Sequence, residues 1–453
     1  MIQRVGLSHP EHRSRGGAVE SLPPRRSPSS HGRMSARPIV LVGVLAVVAC
    51  GGDGPTAVSG AGSSSSGATT TAGASTTTAA PDDTAAPETS TSAATGTTGA
   101  PAATETSDTT TDGEPVYPDP EWDHSPPEDH GLDPVALAEF ATFVGDNDSN
   151  CLVVVHAGVI VGEWYWNDYT PETDQDNVYS VTKSITSALV GIAQERGELA
   201  IDDPAASYIQ EWIGSPSEVV ALRHLISNDS GRHFDFFADY VQLGIEADQT
   251  AFAIGLGQDQ EPATHWEYNN AAIQTLERVL EVATTEDVGD YAAARLFEPI
   301  GMTASYGRDG ADNPLTYQGV SASCRDLARF GYLFLRDGRW AGGVQVVPEA
   351  WVTESTTTST PLNVAYGYMW WLNQDGHYVL PTAPLPQEGD GQLVPGAPDE
   401  LFAAVGAFGQ LVVVDREREY VVVRLGAQSD AGDLLGFEFL RETWTAFSAA
   451  LLP

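Results

Sequence analysis

Lysine is almost missing from this chain. It occurs once in 453 residues, at Lys183, and the other 21 basic residues are arginines. Positive charge is scarce altogether, with 22 Lys+Arg against 62 Asp+Glu and a formal net charge of -40. That excludes a nucleic-acid-binding or polybasic membrane-surface role, since both need a positive footprint. Three cysteines are too few for a disulfide-dense scaffold. No G-x-S-x-G elbow is present, which argues against an α/β-hydrolase, and there is no H-E-x-x-H zinc motif. The ten histidines form no metal-like cluster in sequence, and no metal or organic cofactor is implied. The single lysine therefore stands out, because an arginine cannot give up its proton and a lysine can.

The first 50 residues read as an address rather than as a fold. Residues 1–33 are rich in Arg, Pro and Ser, and Met34 is a second candidate start. Behind it, Arg37 precedes an apolar run from Ile39 to Ala49. That run is shorter than the roughly 20 residues of a membrane span and suits a signal-peptide core. Val47-Val48-Ala49-Cys50 resembles the lipobox of bacterial lipoproteins, with Cys50 as the lipidated first residue; an ordinary cleaved signal or an uncleaved anchor are the alternatives. Each of these predicts an exported chain, lipid-anchored at the cell envelope or secreted. Removing residues 1–49 takes away seven Arg and two Glu, leaving 15 basic and 60 acidic residues, net -45. Residues 51–114 are Ser, Thr, Ala, Gly and Pro with almost no large apolar side chains. They cannot offset their ordering entropy and read as a flexible tether.

The remaining part, 115–453, is expected to be one α+β domain. Asp133-Pro134 opens an amphipathic helix over Val135–Val144. A hairpin follows, with strands Cys151–His156 and Val159–Trp166 around Ala157-Gly158. Near the other end, Gln410–Val414 and Tyr420–Leu425 flank a polar turn, and a last helix runs from Phe437 to Leu451. Between them lie predicted helices at Ser180–Arg196, Val219–Ser227, Asn270–Thr284, Val288–Leu296, Cys324–Arg336 and Pro348–Thr353. Strands at both ends around a helical middle predict one antiparallel sheet built from the two chain ends, with an inserted, mostly helical subdomain.

Ser180-Val-Thr-Lys183 opens a helix, so hydroxyl and amine share one face at i and i+3. Apolar Val181, Ile185, Ala188, Leu189 and Ile192 draw that helix inside. A dry lysine loses proton affinity, from about 10.4 towards 7, and an uncharged amine can take the serine proton during attack on an acyl carbon. Taken alone, S-x-x-K also fits a helix cap followed by a surface lysine. Tyr268-Asn269-Asn270 precedes another helix; Tyr268 can relay a proton and Asn270 can orient Lys183 or bind a substrate amide. They also read as packing and as an N-cap. Gly406-Ala-Phe-Gly409-Gln410 enters a strand, where a backbone N–H near Gly406 can join that of Ser180 as an oxyanion hole; a plain bulge is the alternative. Cys151 and Cys324 read as small buried hydrophobes, with a disulfide between them as the alternative in an exported protein. The Tyr366–Trp371 aromatics read as core or cleft wall.

These segments, in this order, resemble the serine β-lactamase and penicillin-binding-protein-like superfamily, in its class C-related branch, and most of all its 6-aminohexanoate-dimer hydrolase and esterase-like members. The likeness extends through ERGELAIDDPAASYI at 195–209, LRHLISNDSG at 222–231, LFEPIGM at 296–302, RDLARFGYLFL at 325–335 and GAFGQ at 406–410. It implies Ser180 as the acylated nucleophile, Lys183 as its base, Tyr268 as proton-transfer partner and Asn270 as the asparagine of the same motif. It places Ala404 or Val405 as oxyanion donor, with Gly406 and Gln410 beside the substrate. The family's Lys/His-Thr/Ser-Gly triplet is absent; its register falls on Leu401-Phe402-Ala403. Without that cation, an uncharged or cationic amide or ester is a better expected substrate than a carboxylate-bearing β-lactam or D-Ala-D-Ala peptide. Arg232 and His233 are the groups that could restore a cation. A non-catalytic envelope protein is the expectation from another class.

Overall fold

The computed structural model describes residues 115–118, 120–381, 387–427 and 433–453. The expected signal segment, Cys50 and the Ser/Thr-rich stretch lie outside the described residues.

Six antiparallel strands form the main sheet: β1 Ser149–His156, β2 Val159–Tyr165, β3 Trp371–Leu372, β4 Phe402–Gly406, β5 Gln410–Asp415 and β6 Tyr420–Gly426, in the order β2-β1-β6-β5-β4-β3. The two chain ends therefore meet at the β1–β6 seam, as the strand pattern predicts, where Cys151 faces Leu425 and Val155 faces Val421. Side chains alternate across the pleat. Leu152, Val154, Val405, Leu411, Val413 and Val422 enter a core with helices α1 (Pro134–Asp146) and α6 (Phe437–Ser448). Val153, Val155, Ala404, Val412, Val414 and Val423 enter the other core, with α2 (Val181–Glu195) and α5 (Cys324–Leu335).

Helix α1 starts where expected, because the Asp133 carboxylate accepts from the amides of Val135 and Ala136. Several other helices are shorter than their sequence pattern. The segment 270–284 breaks at Thr275 into α3 (Asn270–Gln274) and α4 (Leu276–Thr284), with the Thr275 hydroxyl turned back onto Ala272 O at 2.6 Å. Within 219–227 only Leu222–Ile226 is α-helical, since Val220 is extended. Val288–Ala292 runs into a π-helical turn, Ala293–Phe297.

Cys151 and Cys324 are both fully buried and joined by a disulfide, with Cα atoms 6.2 Å apart. This corrects the reading of the two as unpaired hydrophobes. The bond ties the start of β1 to the first residue of α5 across a sequence separation of 173, a closure worth about 5 kcal/mol in the chain-entropy model.

Candidate active site

Helix α2 runs between the sheet and the helical region, and residues 181–193 are buried on all sides. Its polar face is buried too, beyond what an amphipathic pattern predicts, because each hydroxyl finds a partner. Ser184 donates to Met369 O, Ser187 to Tyr368 O and Thr186 to Thr316 O, while Thr182 Oγ1 accepts from Val320 N.

The entry to α2 is a strained turn. Tyr179 sits at φ 47, a conformation unfavourable for a bulky L residue, and is held there by a 2.7 Å bond from its amide to Asn177 Oδ1. Ser180 follows as N-cap, yet its side chain makes no capping bond. A serine in that position ordinarily accepts from a first-turn amide. Here the hydroxyl lies 2.9 Å from Lys183 Nζ instead.

Lys183 is 1% exposed. Its nitrogen has three oxygen neighbours: Ser180 Oγ at 2.9 Å, Asn270 Oδ1 at 2.6 Å and Tyr317 O at 2.9 Å. The rings of Tyr268 and Tyr317 lie 4.7 and 5.6 Å away. Burial lowers the amine from 10.5 to about 7, against the opposing pull of Asp239. An uncharged amine has two hydrogens and one lone pair. The amide oxygen of Asn270 and the carbonyl of Tyr317 can only accept, so they take the two hydrogens. The lone pair is left for the one neighbour able to donate, the Ser180 hydroxyl.

Asn270 opens α3, and its orientation follows from its other end. Its Nδ2 donates to Asp239 Oδ2 at 2.8 Å, and Asp239 Oδ1 accepts from Ala271 N at 2.8 Å. The helix cap is Asn269, whose Oδ1 accepts from Ala272 N, so Asn270 is free of capping duty. Asp239 is 3% exposed, and burial raises its carboxyl from 3.8 to about 6. Lys183 and Asp239 favour each other's charge, but desolvation outweighs that attraction for both.

Tyr268 packs among Trp266, Tyr366 and Trp371, with its phenol beside Ser180. Burial holds the phenol above its usual range, partly offset by the serine hydroxyl, so it stays protonated at neutral pH. Of the Tyr366–Trp371 aromatics, Tyr366 and Trp371 form the wall behind Tyr268, while Trp370 packs on Phe330 and Tyr368 on Trp351 in the other core; Asn228 Nδ2 fixes the Tyr366 hydroxyl at 3.0 Å.

The end of β4 presses on the serine turn. A methyl carbon at Gly406 would lie 2.4 Å from Val178 O and 3.3 Å from Ser180 N, so only glycine allows this approach. The Ser180 amide, one of the unpaired donors at a helix start, has no acceptor among the described residues. Ala404 and Val405 lie in the same strand, on opposite faces of the sheet. Gln410 does not reach this site as a ligand group. It is 1% exposed, donating to the carbonyls of Ala407, Phe408 and Gly426 and accepting from Gly426 N. Its expected place beside the substrate is corrected: its capacity is spent bracing the β4–β5 turn.

Arg232 is likewise committed. It is buried, bonded to Ser217 Oγ, Ala253 O and Ile254 O, and stacked 4.3 Å over Trp212. His233 pairs with Asp259 at 2.8 Å. Leu401, Phe402 and Ala403 are all buried and apolar. Among the described residues no His, Cys, Asp and Glu group is arranged to hold a metal ion. Asp239 and the Tyr317 carbonyl have no distinct signal in the sequence, since the aromatic stretch Phe234–Tyr240 holds two acids, Asp235 and Asp239.

An alcohol facing a dried-out amine on the first turn of a central helix, over a sheet closed by both chain ends, defines a class: serine hydrolases of β-lactamase/transpeptidase-like α+β architecture. The model of the beta-lactamase family matches residues 151–435, more than half of the sequence, and the chain belongs to that family. It is 23% identical over 321 residues to the 6-aminohexanoate-dimer hydrolase of Paenarthrobacter ureafaciens, covering 62% of this chain and 73% of that one. To penicillin-binding protein 4 of Amycolatopsis lactamdurans it is 26% identical over 260 residues, 49% of this chain and 64% of the relative. A solved structure from Bacillus anthracis that shares the 6-aminohexanoate-dimer hydrolase name superposes with a TM-score of 0.57 at 21% identity, covering 69% of this chain and 82% of that one.

Proposed function

We propose that the protein cleaves a small amide or ester through an acyl-enzyme on Ser180, with Lys183 as general base. The observation that carries this is the accounting at Lys183 Nζ, where two acceptor-only partners leave the lone pair to the serine hydroxyl. The Ser180 proton passes to that nitrogen as Oγ bonds to the acyl carbon. The oxyanion is held by the Ser180 amide together with an amide from Ala404–Gly406, each worth roughly 3 kcal/mol. As the C–N or C–O bond breaks, the proton moves from Lys183 through the Tyr268 phenol to the leaving amine or alcohol. Water then attacks the acyl carbon, returns a proton to the Ser180 oxygen through the same groups and releases the acid.

The site favours substrates without a carboxylate next to the scissile bond. Arg232, expected as an alternative cation, is spent on Ser217 and two carbonyls, and the triplet at Leu401–Ala403 is apolar. The name of the Paenarthrobacter relative, an amide hydrolase, fits that preference; the penicillin-binding relative keeps carboxypeptidase or β-lactamase activity as the second reading. Export with a lipid anchor on Cys50 is part of the proposal. The buried Cys151–Cys324 disulfide supports an oxidising compartment.

Two readouts test it. A fluorophosphonate followed by peptide mapping is expected to leave its adduct on Ser180; an unlabelled serine under conditions that label a control hydrolase contradicts the enzyme reading and favours an envelope-binding role. In a substrate panel, p-nitrophenyl esters and linear amides are expected to turn over at least about tenfold faster than a chromogenic cephalosporin, a difference of roughly 1.4 kcal/mol in barrier. Equal rates overturn the substrate ranking.

A further inference from the structure

We propose that Asp239 is a positioning residue for the reaction: it fixes the Asn270 amide so that the oxygen, and not the nitrogen, faces Lys183. This rests on the acyl-enzyme reading and deepens it. A carboxamide is nearly symmetric in shape, and its two ends differ only in donating or accepting. Nothing about Asn270 itself decides which end meets the amine. The decision comes from the far side, where a carboxylate oxygen 2.8 Å from Nδ2 can only be satisfied by a donor. The other carboxylate oxygen is anchored on Ala271 N at 2.8 Å, an otherwise unpaired amide of the α3 start. Asp239 therefore cannot rotate away without losing a buried bond.

The consequence lies at Lys183. With the amide reversed, the Asn270 nitrogen would donate into the lysine lone pair, the orbital that Ser180 must use. Asp239 thus acts on the reaction without touching the serine. Its own support is a π-helical turn, Ala238–Gln242, that interrupts the chain between the exposed Phe237 and the short helix Leu243–Ile245; such turns often carry functional residues. The titratable groups around the pair are Tyr240, Glu267, Tyr268 and Tyr317. The three phenols are pushed further above their usual range by Asp239, and burial brings Glu267 to about 7.

The substitution Asp239→Asn separates positioning from packing, because the shape is kept. The new side chain has one oxygen for two donors, and the backbone amide of Ala271 cannot move. Its NH2 then meets Asn270, which reverses to present its oxygen. The expected result with an ester substrate is a fall in kcat of about 10–100-fold with KM within about twofold. The acid limb of kcat/KM should move about one pH unit lower, since both the lost negative charge and the new donor favour the uncharged amine. A role in packing or in charge alone leaves kcat on the plateau above that limb close to the parent's, whatever the thermal stability. Coincident pH profiles, or a kcat within twofold of the parent, overturn the proposal. If Asp239→Asn does not accumulate as folded protein, Asp239→Ala removes both acceptors and frees the amide to reverse; a lower kcat is expected again, and a kcat within twofold of the parent again overturns the proposal. Failure here is distinct from failure of the acyl-enzyme reading, which is scored by fluorophosphonate labelling of the unmutated chain.

Discussion

Lys183→Arg lowers kcat/KM by about 10⁴-fold and abolishes fluorophosphonate labelling of Ser180, while the protein remains folded. Arginine keeps the positive charge, the helix propensity and a long side chain that donates to Asn270 and Tyr317. What it loses is the lone pair, because a guanidinium does not release its proton in this pH range. If Lys183 served only to hold a charge beside Ser180, arginine would serve as well and turnover would stay near that of the parent. The comparison is made on kcat/KM with an activated ester, so that leaving-group protonation does not mask the step. Residual activity within tenfold of the parent removes Lys183 from the role of base.

Tyr268→Phe gives the second large effect, a fall of about 10²–10³-fold in kcat for an amide substrate. The phenyl ring still packs against Trp266, Tyr366 and Trp371, so stability changes little. Only the hydroxyl beside Ser180 disappears. Since burial keeps that phenol protonated, it contributes as a proton carrier to the leaving amine and not as an anionic base. The loss should therefore shrink for esters of acidic alcohols, which depart without protonation. The acid limb stays in place, because the depression of Lys183 comes from its own burial. A kcat within about threefold for amides and esters alike reduces Tyr268 to packing, the alternative that its sequence context leaves open.

Much of this site was legible because its central pair is local. Ser180 and Lys183 are three residues apart on one helix, and helical geometry alone brings them within reach. That the sole lysine stood in that motif singled it out. Tyr268 and Asn270 were legible as partners of Lys183 through their motif and not through local geometry, since 87 residues separate the two partners of the Lys183–Asn270 bond. Asp239 was not legible: it acts through a carboxamide, and its burial is set by tertiary packing. The Tyr317 carbonyl left no trace because a backbone oxygen has no sequence signature. Gln410 was placed at the substrate by its neighbourhood in a motif, whereas its bonds show a turn brace. The sheet was predictable from short apolar runs near both ends, yet the break at Thr275 was not, because the apolar pattern continues across it. The Cys151–Cys324 disulfide was legible only as an alternative to two buried thiols, as three cysteines spread over the chain offer no spacing rule.

The account depends on Lys183 being uncharged near neutrality. Its pKa of about 7 predicts that turnover falls about tenfold per pH unit as the amine is protonated below that point. The chain itself allows a more direct observation, because protein labelled with ¹³C-lysine carries one lysine side chain and one Cε resonance. Titrating that resonance between pH 5 and about 11 gives the protonation state of the proposed base without substrate. A transition near 7 is the predicted result; an amine that keeps its proton to beyond pH 10 contradicts the mechanism.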